Sequence, residues 1–184
     1  YDPANGRFTR HGHRDDQDDS LSHNQVRALA EDADGSIWVG TRAGLDRLDP
    51  VNGRVQRQTQ RFGAATTDTD ERVFALLYDR RGDLWIGSWN GLARRSAADG
   101  SYSRIEDTRL AGQLIMSLYE LADGRSGVGT AQVGSFLITP ETAAAMAIPI
   151  DLERTPSATE ALALAMIQPR EDELWLGSFG GITV

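Results

Sequence analysis

The chain has no cysteine, only three histidines and few aromatic residues. The absence of cysteine excludes disulfides, thiolate metal sites and thiol catalysis. The histidines, His11, His13 and His23, all lie within one short segment. They therefore cannot supply a catalytic or metal-binding histidine from several distant parts of the chain. No stretch approaches the roughly 18 consecutive apolar residues that span a bilayer, so we expect no direct membrane insertion by this segment.

Basic residues are fewer than acidic ones, with 19 Lys and Arg against 27 Asp and Glu, and the formal net charge is −8. Nucleic-acid binding needs a basic face that neutralises phosphates, and this balance argues against such a partner. Hydrophobic residues make up 40% of the 184 residues. That is the composition of a soluble globular chain long enough to bury a sizeable core.

A short motif recurs along the whole chain. Asp34-Gly35-Ser36-Ile37-Trp38-Val39-Gly40-Thr41 returns in three degraded copies, with Trp85, Gly127 and Trp175 at the position of Trp38. The intervals between these positions are 47, 42 and 48 residues. Periods of this length indicate stacked copies of one supersecondary unit.

One copy, from Gln25 to Gln60, shows what the unit is. Segments rich in β-branched, aromatic and other apolar residues alternate with Asp, Gly and Pro turn signals, which predicts four short antiparallel strands. Four such strands in about 45 residues match one propeller blade. We therefore predict an all-β fold, a β-propeller of four-stranded antiparallel blades within 1–184, with blades at approximately 25–60, 72–106, 114–150 and 162–184.

Two segments complete this assignment. The Ala-rich run 141–147 stands where the third blade needs its fourth strand, and we interpret it as an irregular outer strand or a loop. Tyr1–Phe8 matches Leu48–Val55, so residues 1–10 are predicted to be the outer strand of a blade. About four blades are then present, and we expect them to be part of a larger propeller. A closed four-bladed ring, completed by the N-terminal strand, is the alternative.

The repeat resembles the two-component regulator propeller repeat. Val26, Leu29, Asp32, Gly35, Trp38, Gly40, Thr41, Gly44, Leu45, Arg47, Asp49 and Pro50 carry the resemblance, and the second copy keeps most of it between Val73 and Arg94. The resemblance implies the periplasmic sensor domain of a bacterial hybrid histidine kinase or diguanylate cyclase, without enzyme activity of its own. It further implies a small-molecule or oligosaccharide ligand, and a signal passed to a cytoplasmic output domain. Exposed blade faces would favour contacts with other blades or domains of the receptor, or a homodimer.

The Trp-x-Gly-Thr/Ser element itself is predicted to be structural. The Trp would fill the space between blades, and the Gly would permit close approach. The hydroxyl would satisfy a backbone group at the end of a strand.

Ligand binding is predicted at one end of the blades. There the turns after the second strands share a face with the loops that enter the innermost strands. Aromatic faces stack on the apolar side of a sugar ring, while amides bind its hydroxyls, so these residue types suit a carbohydrate or another polar organic ligand. The alternative is that the two aromatic residues merely cover neighbouring blades. The candidate residues are His23, Asn24, Arg42, Trp89, Asn90, Gln132 and Phe179.

No cofactor, metal site or catalytic residue is predicted. His11-Gly12-His13 precedes an acidic run, but that run lacks the ordering of a calcium loop, and we interpret it as a solvated loop between blades. Two other functions remain open beside the sensor. One is a propeller enzyme of the virginiamycin B lyase type, and the other is a protein-interaction scaffold.

Overall fold

The computed structural model describes residues 5–58, 72–149, 163–178 and 180–184. These residues contain fifteen β-strands and no helix. The first sheet contains β1 (Val26–Glu31), β2 (Ile37–Thr41), β3 (Gly44–Leu48) and β4 (Val55–Gln58). The second contains β5 (Val73–Tyr78), β6 (Leu84–Ser88), β7 (Gly91–Arg95) and β8 (Tyr102–Arg104). The third contains β9 (Ile115–Glu120), β10 (Ser126–Thr130), β11 (Ser135–Thr139) and β12 (Ala144–Ala147).

The fourth sheet contains β13 (Ala165–Arg170), β14 (Glu173–Ser178) and β15 (Gly181–Thr183). Each sheet is an antiparallel meander with its strands in chain order, which is the topology of a propeller blade. The sheets are called blades 1 to 4 below. The Ala-rich segment forms the outer strand β12. Residues 5–10 belong to none of the four sheets, and residues 1–4 lie outside the described part of the chain.

The blades pack face to face in chain order. Their first strands are the innermost ones, because β1 contacts β5, β5 contacts β9 and β9 contacts β13. Over the described residues the four sheets do not close into a ring, as expected for part of a larger propeller. One face of blade 1 consequently carries exposed apolar side chains such as Leu29.

A tryptophan fills each of the first two blade interfaces, as the repeat predicts. Trp38 of blade 1 is 1% exposed and packs in one cluster with Val73, Leu84 and Ile86 of blade 2. Trp85 of blade 2 is fully buried in the next cluster, which includes Ile115, Val128, Phe136 and Ile138 of blade 3. The indole rings therefore join each blade to the one that follows it.

The third interface lacks this tryptophan, since Gly127 stands in its place. A Cβ atom built on Gly127 would lie only 2.8 Å from the Sδ of Met166, which belongs to β13. Met166 is 9% exposed and clusters with Ala163 and Leu176. A flexible thioether from the following blade thus occupies part of the space that an indole fills elsewhere.

The motif glycines set how closely the blades approach. A Cβ on Gly40 would lie 2.6 Å from Val73 Cγ1, and a Cβ on Gly87 would lie 2.7 Å from Ile115 Cγ2. At Gly129 it would lie 2.1 Å from the carbonyl oxygen of Ala163. Each of these contacts is with the residue that begins, or leads into, the next innermost strand. The absence of a side chain at these glycines is therefore required for blade packing.

Among the described residues no helix has the length and apolarity required to cross a membrane.

Candidate ligand-binding site

The turn after each second strand is closed by the motif hydroxyl. The Oγ1 of Thr41 donates to the carbonyl of Gly44 at 3.2 Å and accepts from the N–H of Ala43 at 3.1 Å. Ser88, Thr130 and Ser178 form the same pair of bonds in their own turns. This confirms the predicted role of the hydroxyl. It also gives the candidate site a rigid base in every blade, because each turn is fixed at both ends.

In blades 1 to 3 the turn is bonded to the segment that enters the innermost strand of the same blade. The N–H of Arg42 donates to the carbonyl of Gln25 at 3.0 Å, and that of Trp89 donates to the carbonyl of Arg72 at 3.0 Å. In blade 3 the N–H of Ala131 donates to the carbonyl of Leu114 at 2.9 Å. The two sets of loops from which the site residues were predicted therefore do share one end of the blades.

In blade 1 a buried carboxylate supports this end. Asp46 is 0% exposed, and its Oδ2 accepts from both the N–H and the Oγ of Ser22 at 2.8 Å. Ser22 Oγ also lies 2.7 Å from Thr41 Oγ1, so the network joins the lead-in segment to the turn. Burial raises the pKa of the Asp46 carboxyl, while the hydrogen bonds from Ser22 and the nearby Arg57 and His13 oppose this shift.

The predicted residues of blade 1 lie directly on this base. His23 follows Ser22, and its Nδ1 accepts a 2.8 Å hydrogen bond from the N–H of Gln25. Asn24 is exposed, and its Oδ1 accepts from the N–H of His13 at 2.9 Å. The Arg42 side chain is exposed, and neither an ion pair nor a side-chain hydrogen bond to it occurs within the described residues.

In blade 2 the exposed ring of Trp89 packs in a row of side chains. This row is called the ladder below, and consists of Arg72, Trp89, Phe74 and Arg27. The Cζ of Arg72 lies 4.2 Å from the centroid of the Trp89 ring. The ring of Phe74 lies 6.0 Å away on a centroid basis, with an interplanar angle of 37°. The Cζ of Arg27, from blade 1, lies 4.3 Å from the Phe74 centroid. Trp89 nevertheless remains 41% exposed, so it is oriented without being buried.

The other predicted residues contribute differently. Asn90 adjoins Trp89, and its main-chain carbonyl accepts from Arg104 Nη1 at 3.2 Å and from the N–H of Gly112 at 3.4 Å. Gln132 is exposed in the corresponding turn of blade 3. Phe179 lies outside the described residues.

Sequence reasoning missed Arg27 and Phe74. Each stands at a β-bulge, because the register of the innermost strand shifts between Val26 and Ala28 and again between Val73 and Ala75. A bulge places an extra residue in one strand and changes the direction of its side chain. The repeat alignment does put Arg27 and Phe74 in equivalent positions, directly after Val26 and Val73. It gives no sign that these side chains meet across the blade boundary.

The N-terminal histidines lie apart from this ladder. His13 Nδ1 lies 2.6 Å from the carbonyl oxygen of Leu21, and its Nε2 lies 2.9 Å from Asp15 Oδ1. A Cβ on Gly53, in the turn between β3 and β4, would lie 3.2 Å from the His11 ring. The described residues contain no group of three or more His, Asp or Glu side chains that could hold a metal ion.

Two segments of the chain match the sequence profile of the family described as two component regulator propeller, at residues 20–43 and 68–90. These segments are two-component regulator propeller repeats. They include the motifs of blades 1 and 2 and the predicted residues from His23 to Asn90. No curated protein matches the sequence.

Solved propeller structures resemble the chain over most of its length. The extracellular domain of a B. thetaiotaomicron hybrid two-component system aligns with a TM-score of 0.72 and 25% identity, covering 90% of this chain. The virginiamycin B lyase of Staphylococcus aureus aligns with a TM-score of 0.61 and 19% identity, covering 86% of this chain and 54% of the lyase. At that identity the likeness to the lyase shows the fold alone.

The chain covers only 22% of the extracellular domain from B. thetaiotaomicron. What it shares with that protein is a propeller domain that resembles the extracellular sensor region of two-component receptors. The propeller class, the repeat type and the resemblance to sensor domains thus agree with the predictions from sequence.

Proposed function

We propose that this propeller segment is the ligand-sensing module of a bacterial signal-transduction receptor, exposed to the periplasm. It binds a carbohydrate or another small polar organic ligand at the turn end of blades 1 and 2. Binding biases a cytoplasmic output domain, a histidine kinase or a diguanylate cyclase, through other blades or domains of the receptor or through a homodimer. The segment itself performs no catalysis.

The observation that carries this proposal is the exposed and oriented ring of Trp89. An exposed aromatic residue that packs against Phe74 and Arg72 loses little conformational entropy when a ligand binds to it. Its turn is closed by the Ser88 hydroxyl and bonded to Arg72, so the ring is presented by a rigid scaffold. Asn90 and Gln132 lie in turns at the same end and carry amide groups that can bind hydroxyls.

The position of the ladder supports a signalling role. Arg27 belongs to blade 1 and Phe74 to blade 2, and their 4.3 Å contact crosses the boundary between the blades. A ligand at this end therefore touches two packed units. Its binding free energy can favour one arrangement of these units over another, which is how a ligand shifts a conformational equilibrium.

Saturable binding tests the proposal. Oligosaccharides and other polar organic compounds are titrated against the chain by isothermal titration calorimetry, and thermal shifts are measured in parallel. We expect a ligand that raises the melting temperature without being converted, and Trp89→Ala should weaken its binding by about tenfold or more. Val51→Ala is the matched control, since Val51 is exposed in the turn at the opposite end of β3. Turnover of a ligand by the chain, or full affinity in Trp89→Ala, would contradict this function or this site.

A further inference from the structure

Blades 1 and 2 present different chemistry at two equivalent positions. The first position is the bulge residue of the innermost strand, Arg27 in blade 1 and Phe74 in blade 2. The second follows the motif hydroxyl, and is Arg42 in blade 1 and Trp89 in blade 2. Blade 1 thus offers two cations where blade 2 offers two aromatic rings. These four residues are called the bulge rim.

The backbone is equivalent at these positions, since both blades use the same register. Val26 pairs with Thr41 directly before Arg27 and Arg42, and Val73 pairs with Ser88 directly before Phe74 and Trp89. In blade 2 the two rings lie 6.0 Å apart. In blade 1 the backbones of Arg27 and Arg42 are adjacent in the same way, and the Arg27 guanidinium also contacts the Phe74 ring.

The two guanidinium groups are without an acidic partner in the described part of the chain. The chain has no lysine, and at least eight of its arginines form ion pairs with carboxylates among the described residues. Within the described residues Arg27 and Arg42 form none, although Asp and Glu outnumber Arg in the chain. The paired arginines are Arg47, Arg54, Arg80, Arg81, Arg94, Arg109, Arg125 and Arg170.

The contact between Arg27 and the Phe74 ring leaves the Arg27 guanidinium able to bind an oxyanion. A guanidinium over an aromatic face is held by its charge and its flat surface, and this contact uses none of its five N–H donors. The donors on its edge remain available for a carboxylate, which binds such a fork in a bidentate manner. Phe74 therefore orients Arg27 and leaves its hydrogen-bonding capacity unused.

We propose that the bulge rim binds a six-membered ring that carries a carboxylate, with the acid on Arg27 and Arg42 and the ring against Trp89. This inference rests on the proposed function and specifies its ligand class. The ring can come from a sugar acid or from an aromatic acid, because both combine an oxyanion with a face that stacks on an indole.

Four probes in two matched pairs test the charge requirement. Trigalacturonic acid is compared with its fully methyl-esterified form, and 4-hydroxybenzoate is compared with its methyl ester. Each is titrated against the intact chain by isothermal titration calorimetry. We expect at least one acid to bind about tenfold or more tightly than its ester, because the ester offers no charged oxygen to the guanidinium groups. The pair that shows the preference identifies the source of the ring.

Variants of the two arginines test whether the preference for the acid comes from the bulge rim. Arg27→Gln and Arg42→Gln should each weaken binding of the preferred acid by about tenfold and bring it close to the affinity of the ester. Both side chains are exposed, so the variants are expected to keep the parent melting temperature. Arg54→Gln is the control for net charge, because Arg54 is exposed at the opposite end of β3 and its removal should leave the affinity unchanged.

The outcomes separate this inference from the proposed function. Equal binding of acid and ester, abolished by Trp89→Ala, would overturn the charge requirement and leave the sensing function standing. An acid preference that survives in both arginine variants would overturn the assignment to the bulge rim. Failure of all four probes to bind at millimolar concentration would overturn the inference, and failure of the wider panel as well would overturn the proposed function.

Discussion

The indole N–H of Trp85 donates a 2.8 Å hydrogen bond to Oδ2 of Asp79, six residues earlier in the chain. Oδ1 of the same carboxylate accepts from the N–H groups of Arg81 and Asp83, which close the turn between β5 and β6. Trp38 and Asp32 repeat the indole bond in blade 1 at 3.0 Å. One aspartate therefore fixes both the hairpin turn and the ring that joins two blades.

Asp79→Asn should lower the free energy of unfolding by about 1–3 kcal/mol, because the amide can accept from the turn but leaves the buried indole N–H without its acceptor. Asp79→Asn should lower the free energy of unfolding by less in a Trp85→Phe background than in the parent. A double-mutant cycle of the two substitutions, measured by urea unfolding, gives this coupling energy. In blade 4 Pro169 stands in place of the aspartate, and Trp175 Nε1 is buried without a partner within the described residues. Trp175→Phe should therefore cost less than Trp85→Phe, and strictly additive effects at Asp79 and Trp85 would contradict the bond.

Replacing a motif glycine with alanine should destabilise the fold by an amount that depends on the space available to the new Cβ atom. A Cβ on Gly129 or Gly87 would clash with the following blade, and we expect losses of about 1–3 kcal/mol or more. A Cβ on Gly177 would meet Ala165 Cβ at 3.7 Å and the Ala165 carbonyl oxygen at 3.8 Å, which are ordinary contacts, so Gly177→Ala serves as the matched control. Melting temperatures of the three variants check this order. Ile115→Ala should partly rescue Gly87→Ala, and the absence of any rescue would argue against the clash.

Asp46→Asn should change how stability depends on pH. The folded-state pKa of Asp46 lies above its ordinary value of 3.8, chiefly because of burial. Protonated Asp46 thus stabilises the fold at low pH, and this stabilisation is lost as the pH rises through the raised pKa. The melting temperature of Asp46→Asn minus that of the parent should therefore increase from pH 4 to pH 7.

The same comparison contains its own control. Carboxyls whose pKa values are lowered in the fold make both proteins less stable as the pH falls, and their effect cancels in the difference. They are Asp34, Asp99, Asp107, Asp123 and Glu141. A melting-temperature difference that stays constant across this pH range would show that Asp46 does not titrate as proposed.

Arg80 links the turn of blade 2 to blade 3 at the end opposite the bulge rim. Its Nε donates to Glu120 Oε1 at 2.7 Å, and its two Nη atoms donate to the carbonyls of Leu121 and Ala122 at 2.8 and 3.0 Å. Arg80→Lys keeps the charge but loses this fork, and we expect a loss of about 1 kcal/mol or less, since the side chain is half exposed. Urea unfolding at low and at high salt measures it. A variant as stable as the parent would show that the fork contributes nothing.

Much of the fold could be predicted because each blade is specified locally. Turn residues such as Gly35 and Gly82 adopt positive φ angles of 82° and 84° where the sequence places tight turns. Trp38 and Trp85 were predicted to lie between blades because such large apolar rings need burial on both faces, and they do. Of the candidate site, the shared end of the blades followed from the topology of a meander, in which every second turn lies on the same side.

The sequence by itself determined the repeat, the blade and the structural role of its Trp-x-Gly-Thr/Ser element. These features depend on contacts within about 45 residues or on positions that recur in every copy. Only the tertiary structure decided that Arg27 lies over Phe74, that Met166 occupies part of the place of a missing indole, and that Asp46 is buried and bonded to Ser22. Each of these contacts depends on a β-bulge or on the approach of a neighbouring segment, and the spacing of residues in the sequence predicts neither.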